Sequence, residues 1–252
     1  MSTSAPPVPV AVTWHDAECG GYGSDLPFWE RLAARQGSPI LDLGAGTGRV
    51  ALHLATRGHD VVAVEWEPEL AGALADRAAA ASSPAPIEVV VADVRELDLG
   101  RRFPLIVAPM QLMHMLGGRE SRRRTLRAVA RHLEPGGVFA ATVLAEPLPP
   151  SGRSEPLPDV RDVGGWIHSS LPLEVLVDDD SLSIVRLRQL VDPAGDLSEE
   201  VDTLSVDRLR PGVLEGDLDD SGLEIIASEA IPETDEHVAS VAHLIEVRTP
   251  NA

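Results

Sequence analysis

Hydrophobic and polar positions change rhythm along this chain, and the change divides it. In the first 145 residues, short runs of Val, Ile, Leu and Ala alternate with longer amphipathic stretches. Pro39 to Leu43, Asp60 to Glu65, Ile87 to Ala92, Pro104 to Ala108 and Val138 to Leu144 are the apolar runs. Their lack of polar alternation predicts parallel strands buried on both faces. Helices are expected between them: Thr47 to Arg57, closed by Gly58; Pro68 to about Ala81; and Arg119 to Leu133, stopped by Glu134-Pro135-Gly136-Gly137. Pro68 suits a first helical turn, where its missing amide costs nothing.

Beyond Leu144 the texture differs. Glu146 to Asp162 is rich in proline and reads as a loop. Leu173 to Asp178, Leu182 to Val191 and Glu200 to Leu209 read as strands joined by short Asp- and Gly-containing turns, which implies an antiparallel meander. Pro211 to Ser221 is a predicted helix with Gly222 just past its end, and Leu223 to Ser228 and Val241 to Val247 are closing strands.

Composition narrows the function. A chain of 252 residues suits one α/β domain with an elaboration, or two small domains. No run of ~18 apolar residues is present, so no transmembrane helix is expected. Met1 to Val10 reads as a loose tail rather than a secretory leader. Cys19 is the single cysteine, which excludes an internal disulfide framework. The expectation is a cytoplasmic protein, monomer or homodimer, without a membrane partner. A net charge of −19 argues against nucleic acid. Arg119, Arg122, Arg123, Arg124, Arg127 and Arg131 form a local basic cluster, read as a solvated helix surface. There is no lysine, which excludes Schiff-base chemistry and a Walker-type phosphate site.

The chemistry concentrates in Ile40-Leu41-Asp42-Leu43-Gly44-Ala45-Gly46-Thr47-Gly48-Arg49-Val50, a strand running through a glycine turn into a helix. Gly-x-Gly-x-Gly lets backbone approach a ligand and aims the helix amides at it. A dinucleotide fingerprint has its third glycine one position later, where Arg49 stands. Three further segments follow in order: Glu65 at the end of the second strand, Ala92-Asp93-Val94 after the third, and Leu133-Glu134-Pro135-Gly136-Gly137-Val138-Phe139 entering the fifth. Together they resemble the class I S-adenosylmethionine-dependent methyltransferases, in the group acting on small molecules.

That resemblance implies a Rossmann-like, doubly wound α/β fold: a mostly parallel seven-stranded sheet with an antiparallel last strand and an inserted antiparallel β-meander cover. Residues 1–35 would be a tail and helical lid, and residues 36–252 the methyltransferase domain, with 146–210 the inserted substrate cover. It further implies S-adenosyl-L-methionine as cofactor. Gly44, Ala45, Gly46 and Gly48 would pass close to it, and Asp42 would orient the turn and the methionine ammonium. Glu65 would accept from the ribose hydroxyls, Trp66 lie against adenine, Asp93 accept from the adenine amino group, and Val94 donate to a ring nitrogen. The carbonyl near Ala108 would meet the methionine amine, and Tyr22 would close over the cofactor. Asp93 also admits the plain reading of a turn cap.

Substrate contacts are expected beyond the carboxyl ends of the strands. Met110, Gln111 and Met113 lie there, with the methionines as adaptable wall or core. Trp14, Trp166 and His168 are further candidates. So is Arg186, for a substrate carboxylate, unless neighbouring Asp and Glu hold it. His114 has two open readings, a general base or a packed histidine holding a loop. The implied reaction is in-line methyl transfer to an O or N nucleophile, less readily C. The alternative is a cyclase or isomerase that keeps the fold and binds the cofactor as scaffold.

Overall fold

The computed structural model describes residues 6–148, 150–153, 157–234 and 237–248. The chain forms two compact units: residues 1–22 with 148–206, and residues 23–147 with 207–252. Helix α1 (Val10–Cys19) belongs to the first and α2 (Leu26–Gln36) to the second, so the first 35 residues are shared between them.

The larger unit is built on β1 (Ile40–Leu43), β2 (Val61–Glu65), β3 (Ile87–Val91), β4 (Phe103–Ala108), β5 (Leu133–Leu144), β11 (Leu223–Ile231) and β12 (Ser240–Val247). Their order is β11-β12-β5-β4-β1-β2-β3. Pairing is parallel from β5 through β4, β1 and β2 to β3, and β12 runs antiparallel to both β5 and β11. This is the expected doubly wound sheet. Every residue of β1 and β2 is buried, as their unbroken apolar runs required. Alternate residues feed two separate cores. Leu41, Leu43, Val62, Val64 and Ile106 pack on one face, and Ile40, Val61, Ala63, Leu105 and Val107 on the other. Helices α3 (Arg49–Ala55), α4 (Pro68–Ala80), α5 (Leu112–Met115), α6 (Arg119–His132) and α7 (Val213–Asp219) complete the unit.

Two expectations shift here. Strand β5 begins at Leu133, because Phe103 pairs with Leu133 before a bulge resets the register to Leu105 with Val138. Glu134-Pro135-Gly136-Gly137 therefore bends inside the strand, with Gly136 at φ 77°, instead of preceding it. The arginine cluster is also not merely a solvated surface. Arg122 is buried and bonds the fully buried Asp217 of α7 at 2.9 Å and Asp207 at 2.6 Å, while Arg119 and Arg123 also reach Asp217.

The smaller unit is an antiparallel sheet of β6 (Gly152–Arg153), β7 (Asp159–Val163), β8 (Trp166–Val177), β9 (Ser181–Val191) and β10 (Leu197–Asp207), the last ending one residue into the larger unit. The expected loop over 146–162 thus contains β6 and β7. Strand β8 starts at Trp166, earlier than the predicted Leu173. Gly164 and Gly165, at φ 63° and 84°, make the tight β7–β8 turn, and a bulge at Leu173 follows Pro172 within the strand. One face of this sheet packs on α1. Glu18 receives Arg188 Nε at 2.8 Å and Ser170 Oγ at 2.8 Å, Asp16 pairs with Arg161, and Trp14 lies edge-on to His168 at 4.9 Å.

Candidate cofactor and acceptor site

In the larger unit, β1 delivers the glycine turn to the carboxyl edge of the sheet. Gly44, Gly46 and Gly48 have φ of 65°, 57° and 97°, the left-handed region that glycine enters without cost. Their uses differ. A Cβ on Gly48 would sit 2.2 Å from Leu74 Cδ1, so this glycine lets α3 and α4 pack closely. A Cβ on Gly44 would lie 2.9 Å from a terminal methyl of Leu112. The Ala45 amide donates to the Val64 carbonyl at 3.0 Å, fastening the turn to β2. Arg49 forks onto the buried Asp25, which also accepts from the Trp29 indole at 2.8 Å.

Two buried carboxylates flank the turn. Glu65 is 4% exposed; its Oε2 accepts from the Gly46 amide at 2.8 Å and its Oε1 from the Glu67 amide at 2.9 Å. Each oxygen keeps a lone pair for a further donor, which suits a pair of vicinal hydroxyls. Asp42 is 1% exposed, and among the described residues neither carboxylate oxygen has a hydrogen-bond partner. Burial pushes its pKa up to about 7; nearby Arg49 opposes the rise and Glu65 adds to it. An unpaired buried carboxylate costs several kcal/mol unless a cation or donor arrives. A ligand with an ammonium group and a sugar diol answers both carboxylates.

Trp66 follows Glu65 and is 68% exposed. Asp93 caps the 3-10 turn Val94–Glu96 through the Arg95 amide at 2.8 Å, and it also grips the Arg95 guanidinium at 2.6–2.9 Å. Those bonds hold its carboxyl below the usual range, although burial opposes this. The capping reading is realised, and an adenine amino group at Asp93 must share it with Arg95. Val94 is buried beside it.

At the end of β4, Ala108 is buried and Met110 holds φ 56°, the sole non-glycine residue with positive φ among the described residues. Such a conformation costs roughly 1 kcal/mol or more and concentrates at ligand sites. Thr142 Oγ1 donates to the Met110 carbonyl at 2.7 Å and holds it there. The Gln111 carbonyl accepts from His114 and Met115, starting α5. Met113 is fully buried within a core cluster, so it is core and not pocket wall.

His114 is 2% exposed, and both of its ring nitrogens are engaged. The Leu144 amide donates to Nε2 at 3.0 Å, so the proton sits on Nδ1 and is donated to the Asp207 carbonyl at 2.8 Å. Burial lowers its pKa, although the Asp207 contacts oppose this. No lone pair is left to take a substrate proton. The general-base reading therefore gives way to the loop-holding one.

The smaller unit holds the other candidates. Tyr22 is buried where α1 has ended, and Trp166 is half-buried at the start of β8. Arg186 is tied to Asp159 at 3.1 Å and to Ser170 Oγ at 3.3 Å, so the neighbouring-carboxylate reading holds for it. His168 is fully buried with no hydrogen-bond partner on either ring nitrogen among the described residues, and burial keeps its pKa low. Sequence reasoning missed Arg49, Arg95 and Thr142, which fix the turn, Asp93 and Met110. Only Arg95 left a signal, two residues from the carboxylate it grips.

Residues 40–137 match the family model described as a methyltransferase domain. The chain is 33% identical over 102 residues to a cypemycin N-terminal methyltransferase of Streptomyces sp, a match spanning 40% of this chain and 40% of that relative. Its fold resembles the sugar N-methyltransferase KedS8 from Streptoalloteichus sp, with TM-score 0.74, 19% identity and coverage of 99% and 97% of the two chains. It also resembles the CcbJ methyltransferase from Streptomyces caelestis, with TM-score 0.70, 22% identity and coverage of 90% and 97%. The glycine turn and the two buried carboxylates fall within residues 40–137, the segment that matches a methyltransferase domain, on a fold that resembles those of solved methyltransferases.

Proposed function

We propose that the protein transfers a methyl group from S-adenosylmethionine to an amine nitrogen of a small molecule. The observation that carries the cofactor assignment is the pair of buried carboxylates at the glycine turn, one unpaired. Asp42 would take the methionine ammonium, Glu65 the ribose hydroxyls, and Gly44 to Gly46 the close backbone approach. Trp66, Val94 and, in exchange with Arg95, Asp93 would meet the adenine.

The bound sulfonium supplies an electrophilic methyl group. What remains for the chain is to hold the acceptor in line and exclude water. An amine fits that limited role, because its neutral form attacks without a strong base. The loss of His114 as a base candidate supports this choice over a hydroxyl, as does the N-methylation named for the cypemycin relative and for the structural neighbour KedS8. The chain carries −19, so a cationic amine is drawn toward it electrostatically.

Calorimetry with S-adenosylhomocysteine tests the cofactor, and Glu65→Ala should weaken it by about tenfold or more. Mass spectrometry of a panel of small amines and alcohols incubated with S-adenosylmethionine tests the reaction. Methylated amines support the reading; methylated alcohols alone, or an isomerised product of unchanged mass, overturn it.

A further inference from the structure

The smaller sheet has a second face. Its α1-facing side carries His168, Ser170, Arg186 and Arg188, identified by their contacts with α1 or with one another. Alternation along the strands puts the neighbouring residues on the opposite side. The register agrees: Val160 pairs with Ser169, Asp162 with Ile167, and Leu171 with Leu187. The contacts of Gln189 with Glu199 and Ser183 with Ser205 carry the same face onto β10, which places Leu197 and Val201 there. Past the bulge, Glu174 opposite Val185 and Leu176 opposite Ser183 return to it.

Val160, Ile167, Leu176, Leu197 and Val201 are 60, 41, 39, 56 and 66% exposed on this one side. Half-buried Leu171, Val185, Leu187 and Val191 fill the spaces between them. Among the described residues, the three arginines of β7 to β10 lie on the α1 side, and the opposite face of these four strands carries the carboxylates Asp162, Glu174 and Glu199, with Arg153 of β6 in register with Glu174. A contiguous apolar face of this kind marks an interaction surface.

We propose that this face of the β7–β10 sheet is the interface of a two-fold homodimer, packed against the same face of a second copy. The area fits. Strands of 11 or 12 residues, at ~3.3 Å per residue and ~4.8 Å apart, give a face of roughly 35 by 15–20 Å. Two such faces cover about 1,000–1,400 Å² in total, within reach of a stable interface. A two-fold contact needs one patch complementary to itself, which the apolar side chains of this face satisfy. Aligned sheets then pack about 10 Å apart, with inner side chains interdigitating. Other partners fit worse. The three carboxylates repel anionic lipid or nucleic acid, and a basic protein finds more acidic charge elsewhere on a chain of −19.

Sedimentation velocity of the full chain at tens of micromolar tests the proposal. The expected species has twice the 26.8 kDa chain mass. Ile167→Glu with Val201→Glu should raise the dimer dissociation constant by about 100-fold or more. Leu204→Glu, exposed on the α1-facing side, should leave the dimer intact. Unchanged S-adenosylhomocysteine affinity in the double variant shows that it remains folded. Because the burial is apolar beside like charges, 1 M salt should leave the dimer as tight or tighter. A monomeric wild type, a dimer untouched by the double variant, or a dimer dissolved by salt each overturns the proposal.

Discussion

Asp42 and His114 are both buried and titratable, and their surroundings set them opposite tasks. Asp42 has a buried carboxyl with a pKa pushed up to about 7, so without a ligand its neutral form prevails below that pH. A cationic ammonium favours the ionised form, and binding must therefore expel a proton at lower pH. S-adenosylhomocysteine affinity should fall as pH drops below about 7, approaching tenfold per pH unit. Asp42→Asn should flatten that dependence, and calorimetry from pH 5.5 to 8 reads it. The stability term has the opposite direction. An acid whose folded pKa exceeds its ordinary 3.8 stabilises the fold at low pH, and this is lost as pH rises through 7. Asp42→Asn should then raise the melting temperature at pH 8 while weakening the ligand. His114 works by position. Removing its ring strands the Leu144 amide and the Asp207 carbonyl, so His114→Ala should cost about 2–4 kcal/mol in denaturant unfolding. The pH limb of kcat should stay where it was, whereas loss of a true base would remove it. Because burial lowers the His114 pKa, its stabilising contribution declines as pH falls below its ordinary 6.5.

At the level of elements, the parallel sheet was legible because unbroken apolar runs and caps state their own geometry. Strands β1 to β4 begin and end within one residue of expectation, and Pro68 opens α4. The glycine turn was legible for the same reason, since a left-handed backbone needs glycine, and Glu65 was legible as the carboxylate that ends β2. What escaped depends on partners distant in sequence. Nothing in Arg119 to Arg131 announces that Arg122 meets Asp217, 95 residues later, so the cluster looked like solvated surface. Nothing near His114 names Asp207 or Leu144. Strand β8 begins at Trp166, but Pro172 within it argues against a strand there, and only pairing reveals the bulge at Leu173 that follows it. The buried network has a measurable consequence. Asp217 is fully buried and bonded to the arginines of α6, so Arg122→Ala should cost about 3–5 kcal/mol by leaving that carboxylate undercompensated. Arg124→Ala, which loses an exposed pair with Glu96, should change stability by about 0.5 kcal/mol or less. Equal effects from the two variants would mean that the network contributes no more than surface charge.

Across the whole molecule, the two units are held by different forces. Both extended hydrophobic clusters lie entirely in residues 23–147 and 207–252. The smaller unit has few buried apolar side chains, among them Val12, Trp14 and Leu182, and ties α1 to its sheet mainly through charged groups. Apolar burial stabilises at roughly 25 cal/mol per Å², whereas partly exposed ion pairs contribute little. The smaller unit should therefore open at lower free energy than the larger, so unfolding will not follow a single two-state curve. Native-state hydrogen exchange separates the two. Amides of β8 and β9 should exchange through an opening that leaves β1 and β4 protected, and S-adenosylhomocysteine should raise protection in β1 and β2 most. Protection of β8 to β10 should also grow with protein concentration, because a second copy covers the apolar face that the chain leaves bare. In the Ile167→Glu/Val201→Glu variant that dependence should vanish while β1 and β4 are unchanged. Equal protection of both sheets at every concentration would mean that the polar contacts of α1 suffice, and that the exposed face needs no partner to be stable.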